Sequence, residues 1–428
     1  MKFLINDTMQ KINYIVLCLV MLLLGSCAKN EADIFSASPA ERMNRALKDD
    51  FAALISAPNG WAMEYFATPT SPGYTLLVKF DTSGKATFAA KSELTKNKAY
   101  ETDSCLFEMI GDNGPVLTFN TYNTVLHRFS NPENPDGYGL EGDYEFVVIS
   151  KSADQITLKG KKMGTIILLN KIPVDISWAQ YVEGLSAMDT LLFVNNSNSL
   201  KMKIGTSSYL FSNGSGHVFS IKQGVNTTIE APFIVTRTGI RFQFVQDIGG
   251  VKFHTLKLND DKSALVSIDN PDLKLVGVED LAAFFIGNIK VWEFVPTELS
   301  PNVKAVYDQI VQSCITNYNA TDVKLAIKYY TTRNSFELNL TYTTSQVIND
   351  GNLDMTLNAT GKNSLSLLCK VTGDNSGLSF YNDVAGFKEM SALISTGFVL
   401  STNSMINPQK IKFTKKTDAN TWFTVVPQ

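Results

Sequence analysis

The chain has 428 residues, of which 44% are hydrophobic and 18% are charged, and its formal net charge is −3. This composition is typical of a globular protein, and the length predicts two or three domains instead of a single core. The sequence has no clustered basic face of the kind that nucleic-acid binding requires, so we expect no nucleic-acid partner.

Residues 1–26 have the pattern of a bacterial lipoprotein signal peptide. Lys2 and Lys11 accompany an apolar run, residues 12–24, that is too short to span a membrane comfortably. The run leads into Gly-Ser-Cys, and small residues directly before a cysteine are typical of a lipobox. We therefore predict cleavage before Cys27 and acylation of that residue, whose three acyl chains would give a stable anchor. The alternative is an ordinary secretory signal in which the cysteine is accidental.

Residues 27–37 are predicted to form a short lipidated tether. Glu31 and Asp33 follow the predicted acylated cysteine closely, and an acidic cluster at this place resembles the surface-export signal of Bacteroidetes lipoproteins. We expect the protein in the outer membrane, anchored through Cys27 and facing the cell surface. The alternative is attachment on the periplasmic face.

The next segment, residues 38–172, predicts a module of one helix followed by about six short strands. Ser38 is placed to cap the helix, Pro39 suits its first position, and Glu41 completes a capping box. The helix carries an apolar stripe, formed by Met43, Ala46, Leu47, Phe51 and Leu54. Alternating stretches such as YTLLVKF, separated by turn residues, favour antiparallel strands. The predicted fold class is therefore α+β, predominantly antiparallel β.

Two further segments are predicted to repeat this module. Residues 173–296 form a more diverged second copy, in which Ser177 is placed to cap a short helix. Residues 297–428 form a third copy, in which Ser300 and Pro301 begin a helical pattern. The sequence thus predicts three tandem modules with a common helix-then-strands order.

A repeated tripeptide supports the interpretation that the third module is a duplicate of the first. Gly111 and Gly373 each begin Gly-Asp-Asn, and they lie as far apart as the two Ser-Pro helix starts. We therefore predict that VLTF from Val116 and LSFY from Leu378 form equivalent strands. The alternative is that antiparallel proteins reuse the same turn residues without duplication.

The sequence offers no recognisable catalytic motif. Its three histidines lack the spacing of a helical metal-binding pair, and we find no nucleophile elbow, phosphate-binding loop or dinucleotide fingerprint. Cys105, Cys314 and Cys369 form an odd set with no short spacing, so we expect buried thiols, although one pair could be bridged. We predict no catalytic residue and no cofactor.

The loop NPENPDGYGLEGDYE, residues 131–145, is the richest in candidate site residues. Asp136, Glu141 and Asp143 are the nearest candidates for a calcium site, but their order does not match an EF-hand, and we predict no metal. Tyr138 is a candidate for stacking on a sugar ring. The simpler interpretation is that Tyr138 anchors a packed loop and that the glycines and prolines only make turns.

Several stretches together resemble a known family. They are LLLGSC, SPAERMNRALKDDFAALISAPNGWAMEYF, GYTLLVKFD, GPVLTFNTYNTVLHRFSNP and DYEFVVISKSADQITLKGKK. These stretches resemble Bacteroidetes lipoproteins of the domain of unknown function family 4302, most strongly from Cys27 to about Lys171. The resemblance assigns no catalytic residue. It implies a protein similar in cellular location and size to the accessory proteins of outer-membrane nutrient-uptake systems.

The function expected from the sequence is binding without catalysis. Three tandem modules on a lipid tether would offer loops and strand edges to a glycan, a peptide or a component of an uptake complex. The alternatives are an extracytoplasmic hydrolase with an unrecognised carboxylate pair and a purely structural envelope protein.

Overall fold

The computed structural model describes residues 37–132, 139–193, 199–213, 216–223, 227–287, 291–331, 334–345 and 347–428. The predicted signal peptide, Cys27 and the acidic pair Glu31 and Asp33 lie outside the described residues, as do Asp136 and Tyr138. No helix in the described ranges is both long enough and apolar enough to span a membrane.

The described chain forms three closed, antiparallel, eight-stranded β-barrels in tandem. The prediction of β-rich, antiparallel, tandem modules is therefore confirmed, but the prediction of about six strands in each module is wrong. In each barrel the first strand also pairs with the last, as Trp61 does with Lys171. Closure removes the unpaired strand edges that a six-stranded open sheet would leave exposed.

The first barrel is preceded by helix α1 (Pro39–Ile55). Its strands are β1 (Trp61–Phe66), β2 (Gly73–Phe80), β3 (Lys85–Ala90), β4 (Glu101–Gly111), β5 (Pro115–Phe119), β6 (Glu145–Lys151), β7 (Gln155–Gly160) and β8 (Ile166–Lys171). Short 3₁₀ helices occupy Lys96–Lys98 and His127–Phe129. The core of this barrel is rich in large side chains without solvent exposure, among them Trp61, Tyr65, Phe88 and Phe146.

The second barrel is preceded by helix α2 (Trp178–Phe193). Its strands are β9 (Leu200–Ile204), β10 (Ser207–Asn213), β11 (Val218–Lys222), β12 (Thr228–Thr236), β13 (Gly239–Ile248), β14 (Val251–Leu258), β15 (Ala264–Ser267) and β16 (Lys274–Val276), and β16 closes on β9. Phe219 stacks on Phe233 in the core at a centroid distance of 4.6 Å.

The third barrel has strands β17 (Trp292–Leu299), β18 (Asp322–Tyr330), β19 (Ser335–Thr343), β20 (Ile348–Gly361), β21 (Ser364–Gly373), β22 (Gly397–Thr402), β23 (Ile411–Lys415) and β24 (Trp422–Pro427). Its helices are α3 (Leu281–Gly287), α4 (Pro301–Tyr318), α5 (Asn375–Asp383) and α6 (Phe387–Ile394). The predicted boundary after residue 296 falls within β17. Helix α3 also belongs with this barrel, since Phe285 packs 5.1 Å from Phe413 in its core.

Local sequence signals place the first two helices. Ser38 and Glu41 form the predicted capping box, with the Ser38 N–H donating to the Glu41 carboxylate at 2.8 Å. Ser177 begins α2 in the same way, since its N–H donates to the Gln180 side chain at 2.9 Å and its hydroxyl accepts from the Gln180 N–H at 3.2 Å. At the start of each helix, backbone N–H groups are thus hydrogen-bonded by side chains three positions away.

The predicted equivalence of the two Gly-Asp-Asn segments is wrong. After Gly111 the chain turns into strand β5, with Asn113 and Gly114 both at positive φ. In the third barrel Ser376 takes the place of that glycine, and a left-handed backbone is costly for serine. Asp374 instead caps α5 by accepting from the Gly377 N–H at 2.6 Å, so Leu378 lies in a helix and not in a strand.

The Ser-Pro helices also occupy different places. Helix α1 precedes the first strand of its barrel, whereas α4 follows β17. The hydroxyl of Ser300 does not cap α4 but accepts from the Trp422 N–H at 3.0 Å, which ties the helix start to strand β24.

The second and third barrels share part of a core. Ile406, in the loop between β22 and β23, is fully buried among the core residues of the second barrel. The Met405 N–H donates to the Lys262 carbonyl at 3.0 Å, and the Met405 carbonyl accepts from the Val278 N–H at 2.7 Å. The loop between β22 and β23 of the third barrel therefore contributes to the core of the second.

Candidate functional site

A cleft of about 260 Å³ lies between the first and second barrels. One wall is formed by β2 and the segment after β3 of the first barrel. The opposite wall is formed by α2 and by the ends of β11 and β12 that lie next to α2. We call it the interbarrel cleft, and its main lining residues are Tyr74, Glu93, Leu185, Asp189, His217 and Ile234. Clefts at domain junctions are a preferred place for ligand sites in proteins.

The two walls approach each other closely because of a glycine. A Cβ atom added to Gly73 would lie 2.6 Å from the Ile234 Cβ and 2.7 Å from the Phe66 ring. No side chain fits at that distance, so Gly73 lets β2 come against β12 and sets the width of the cleft beside it.

Helix α2 packs between the two barrels. Trp178, Tyr181 and Val182 pack against the outer face of the first barrel, whose small side chains Ala62 and Ala89 leave room for the helix. The indole N–H of Trp178 donates to the Asn59 carbonyl at 2.8 Å. The other side of α2 thereby faces the second barrel and carries Asp189 into the cleft.

Asp189 and His217 form a hydrogen-bonded pair across the second wall. The His217 Nε2 lies 2.7 Å from the Asp189 Oδ1, and the imidazole packs against the rings of Phe193 and Phe233 at 5.9 and 5.4 Å. The Nδ1 atom is buried and has no hydrogen-bond partner among the described residues. The pair fixes the orientation of the imidazole beside the cleft.

Tyr74 and Glu93 form the corresponding pair on the first wall. Burial, reinforced by the negative charge of Glu93 and a hydrogen bond to it, raises the pKa of Tyr74 well above its usual range. The phenol therefore stays protonated and serves as a donor to the carboxylate. Both carboxylates of the cleft are thus already engaged by a neighbouring side chain.

Ion pairs hold the two barrels together beside the cleft. The Arg241 guanidinium of β13 donates to the Glu64 carboxylate of β1, and the side chains are only 8% and 12% exposed. Near the cleft mouth, Lys91 of the first barrel pairs with Glu183 of α2 at 2.6 Å. The cleft therefore has fixed walls and a balanced charge.

The cleft holds hydrogen-bonded side-chain pairs but no recognisable nucleophile or metal cluster among the described residues. Within the described ranges no hydroxyl hydrogen-bonds to His217 as a nucleophile would, and no group of three or more His, Cys, Asp or Glu side chains could hold a metal. The cysteines Cys105, Cys314 and Cys369 are free thiols, and burial raises the pKa of each, to about 11, 11 and 12. They are therefore not thiolates at neutral pH.

The described residues among the predicted candidates do not line the cleft, and one of them has a structural role. Asp143 is buried, and its carboxylate accepts from the backbone N–H groups of Lys162 at 2.7 Å and Met163 at 2.8 Å, which closes the turn between β7 and β8. Glu141 is exposed at a positive φ. Asp189 and His217 were missed because they are 28 residues apart and meet only after α2 packs on the second barrel.

These features define the chain as a tandem β-barrel protein with a cleft between its first two barrels. It belongs to the family described as domain of unknown function (DUF4302), which matches residues 31–260, more than half of the chain. The predicted family membership is therefore confirmed, and the matched range includes both walls of the cleft. A comparison with curated proteins finds no match.

Proposed function

We propose that the protein is anchored at the cell surface through acylated Cys27 and acts there as a non-enzymatic binding protein, with the interbarrel cleft as its ligand site. The observation that carries the proposal is the cleft itself. It combines apolar surface from Leu185 and Ile234 with a few convergent polar groups, which is the usual make-up of a ligand site.

The polar groups favour a small ligand with hydrogen-bonding groups of both kinds. Lys91 offers a donor, and the carboxylates of Glu93 and Asp189 offer acceptors. A glycan fragment or a peptide handed to an uptake complex of the outer membrane fits this pattern. The proposed tether before Ser38 would extend at most roughly 40 Å, which keeps the first barrel near the membrane surface.

An array of glycans and peptides tests the proposal. The mature chain with Cys27→Ala should retain at least one class of ligand, and Leu185→Trp, which fills the cleft, should abolish that retention. Val174→Trp is the matched control, because Val174 is 75% exposed and does not line the cleft. Retention that survives Leu185→Trp, or no retention at all, would reject the cleft as the ligand site.

One observation favours a hydrolase as the second candidate. Glu93 and Asp189 enter the same cleft from opposite walls, and a pair of facing carboxylates is what glycoside hydrolysis requires. Incubation of the mature chain with array-selected glycans would release reducing sugar if this candidate were correct. Release should then stop in the Glu93→Gln and Asp189→Asn variants, whereas the binding proposal predicts no release from the native chain.

A further inference from the structure

Three aromatic rings form an exposed stack on the first barrel, and none of them lines the interbarrel cleft. Tyr122 lies 5.3 Å from His127 at an interplanar angle of 30°, and His127 lies 5.3 Å from Tyr144 at 31°. Tyr122 is 59% exposed and Tyr144 is 44% exposed. Single exposed aromatics need no explanation, but two tyrosines that share a histidine between them form a platform.

Hydrogen bonds fix the orientation of the stack. The Nδ1 atom of His127 accepts from the Asn123 N–H at 3.0 Å, which places the imidazole proton on Nε2. Burial lowers the pKa of His127, so the middle ring is neutral at pH 7. The Tyr122 hydroxyl accepts from the Asn131 side-chain amide at 2.8 Å and keeps its own proton to donate.

A hollow lies at each end of the stack. Tyr122 borders one of about 450 Å³ together with Thr124 and Arg128, and Tyr144 borders one of about 250 Å³ together with Lys161. Each hollow therefore has an aromatic wall and polar groups beside it, which is the combination that holds a ring with an apolar face and a polar rim.

One cation beside each hollow is ion-paired. The Arg128 guanidinium pairs with Glu101 at 2.6 Å, and the Lys161 ammonium pairs with Asp112 at 2.7 Å and Glu145 at 3.1 Å. An ionic ligand would have to displace one of these partners. Hydroxyl groups, by contrast, can accept from the cations and donate to the carboxylates without breaking the pairs.

From this geometry we propose that Tyr122, His127 and Tyr144 form a second binding site, which takes neutral carbohydrate by stacking one pyranose ring on each exposed tyrosine. The apolar face of a pyranose covers a tyrosine ring, and its hydroxyls reach the paired charges. The site shares no lining residue with the interbarrel cleft. A negative result at the tyrosines would therefore not reject the function proposed above.

Affinity electrophoresis of the mature chain tests this site, in native gels that contain soluble starch, xylan or mannan. We expect retardation in at least one neutral polysaccharide and none in heparin. Tyr122→Ala and Tyr144→Ala should each weaken that binding about tenfold, the size of one lost ring contact. Tyr330→Ala, at a tyrosine 39% exposed on the third barrel, is the matched control and should bind as the native chain does.

Three results would overturn the proposal. They are the absence of retardation in every neutral polysaccharide, retardation that both tyrosine variants keep, and tighter binding of a proline-rich peptide than of any glycan at the same residues. Circular dichroism of each variant shows that the fold is intact, which is expected since both tyrosines are largely exposed. Leu185→Trp should leave the retardation unchanged, which separates this site from the cleft.

Discussion

Arg241 of the second barrel and Glu64 of the first form a buried ion pair between the barrels. Around it, the Asn170 side-chain amide donates to Glu64 at 2.8 Å, and the Gln243 amide donates to the Thr68 carbonyl at 3.2 Å. These contacts join the two barrels beside the interbarrel cleft.

Removing one partner of the pair should destabilise the protein strongly. Glu64→Gln leaves the Arg241 charge buried and unpaired, so we expect a loss of about 3–5 kcal/mol in the free energy of unfolding. The double variant Glu64→Gln/Arg241→Met should recover most of that loss. Urea unfolding followed by tryptophan fluorescence measures both.

The control for this prediction is an exposed pair. Lys304 and Asp308 on α4 are 43% and 55% exposed, and Lys304→Ala should cost no more than about 0.5 kcal/mol. Equal losses in Glu64→Gln and Lys304→Ala would show that the interbarrel pair contributes little.

Helix α1 predicts a contrast between two leucines of one apolar stripe. Leu54 is 1% exposed in the core of the first barrel, whereas Leu47 is only half-buried. Leu54→Asp should cost about 4 kcal/mol or more, because a charge would be buried without a partner. Leu47→Asp should cost about 1 kcal/mol. Thermal unfolding of the two variants measures both losses. A larger loss in Leu47→Asp than in Leu54→Asp would show that the helix packs on the barrel through a different face.

The parts of this fold that sequence could predict are local. The capping boxes at Ser38 and Ser177 involve residues three positions apart, and the alternation of strands such as β2 is visible within a few residues. Barrel closure is different, since the pairing of Trp61 with Lys171 joins the two ends of a module and leaves no short-range signal. The strand count was underestimated for that reason.

The candidate site could not be predicted from the sequence for a related reason. Asp189 and His217 meet only through the packing of a helix between two barrels, and the tyrosines of the aromatic stack are joined through a 3₁₀ helix. The loop from residue 131 to residue 145 drew attention because of its acidic residues. The aromatic stack joins Tyr122 and His127, which precede this loop, to Tyr144 near its end, and no short-range pattern indicates that the three rings meet.

His254 gives the interbarrel contact a dependence on pH. Its Nε2 lies 3.4 Å from an Arg241 nitrogen, and burial, followed by the Arg241 charge, lowers the pKa of His254 below its ordinary value of 6.5. The unfolded chain therefore binds a proton that the folded chain does not. The resulting stability is present above pH 6.5 and is lost as the pH falls below it.

We accordingly expect a lower urea midpoint at pH 5 than at pH 7.5, and a smaller difference in His254→Gln. The variant should keep part of the pH dependence of the urea midpoint, because burial lowers the pKa of His127 as well. An unchanged slope in His254→Gln would show that this histidine is not responsible.

The proposed anchor predicts one covalent modification. Metabolic labelling with a fatty acid should mark the native chain and leave Cys27→Ala unlabelled, because the lipobox directs acylation to that cysteine alone. Cys105→Ala, which removes a buried thiol, serves as the control and should keep the label. Label that persists in Cys27→Ala would place the modification elsewhere.

Hydrogen–deuterium exchange with an array-selected ligand tests the central claim, that the protein binds its ligand in the interbarrel cleft. Backbone amides exchange more slowly where a ligand suppresses local opening. The account predicts new protection in residues 91–98, in α2 around Asp189 and in the hairpin that carries His217, and no such protection in Leu185→Trp. Protection confined to the third barrel, or equal in the native and Leu185→Trp chains, would contradict it.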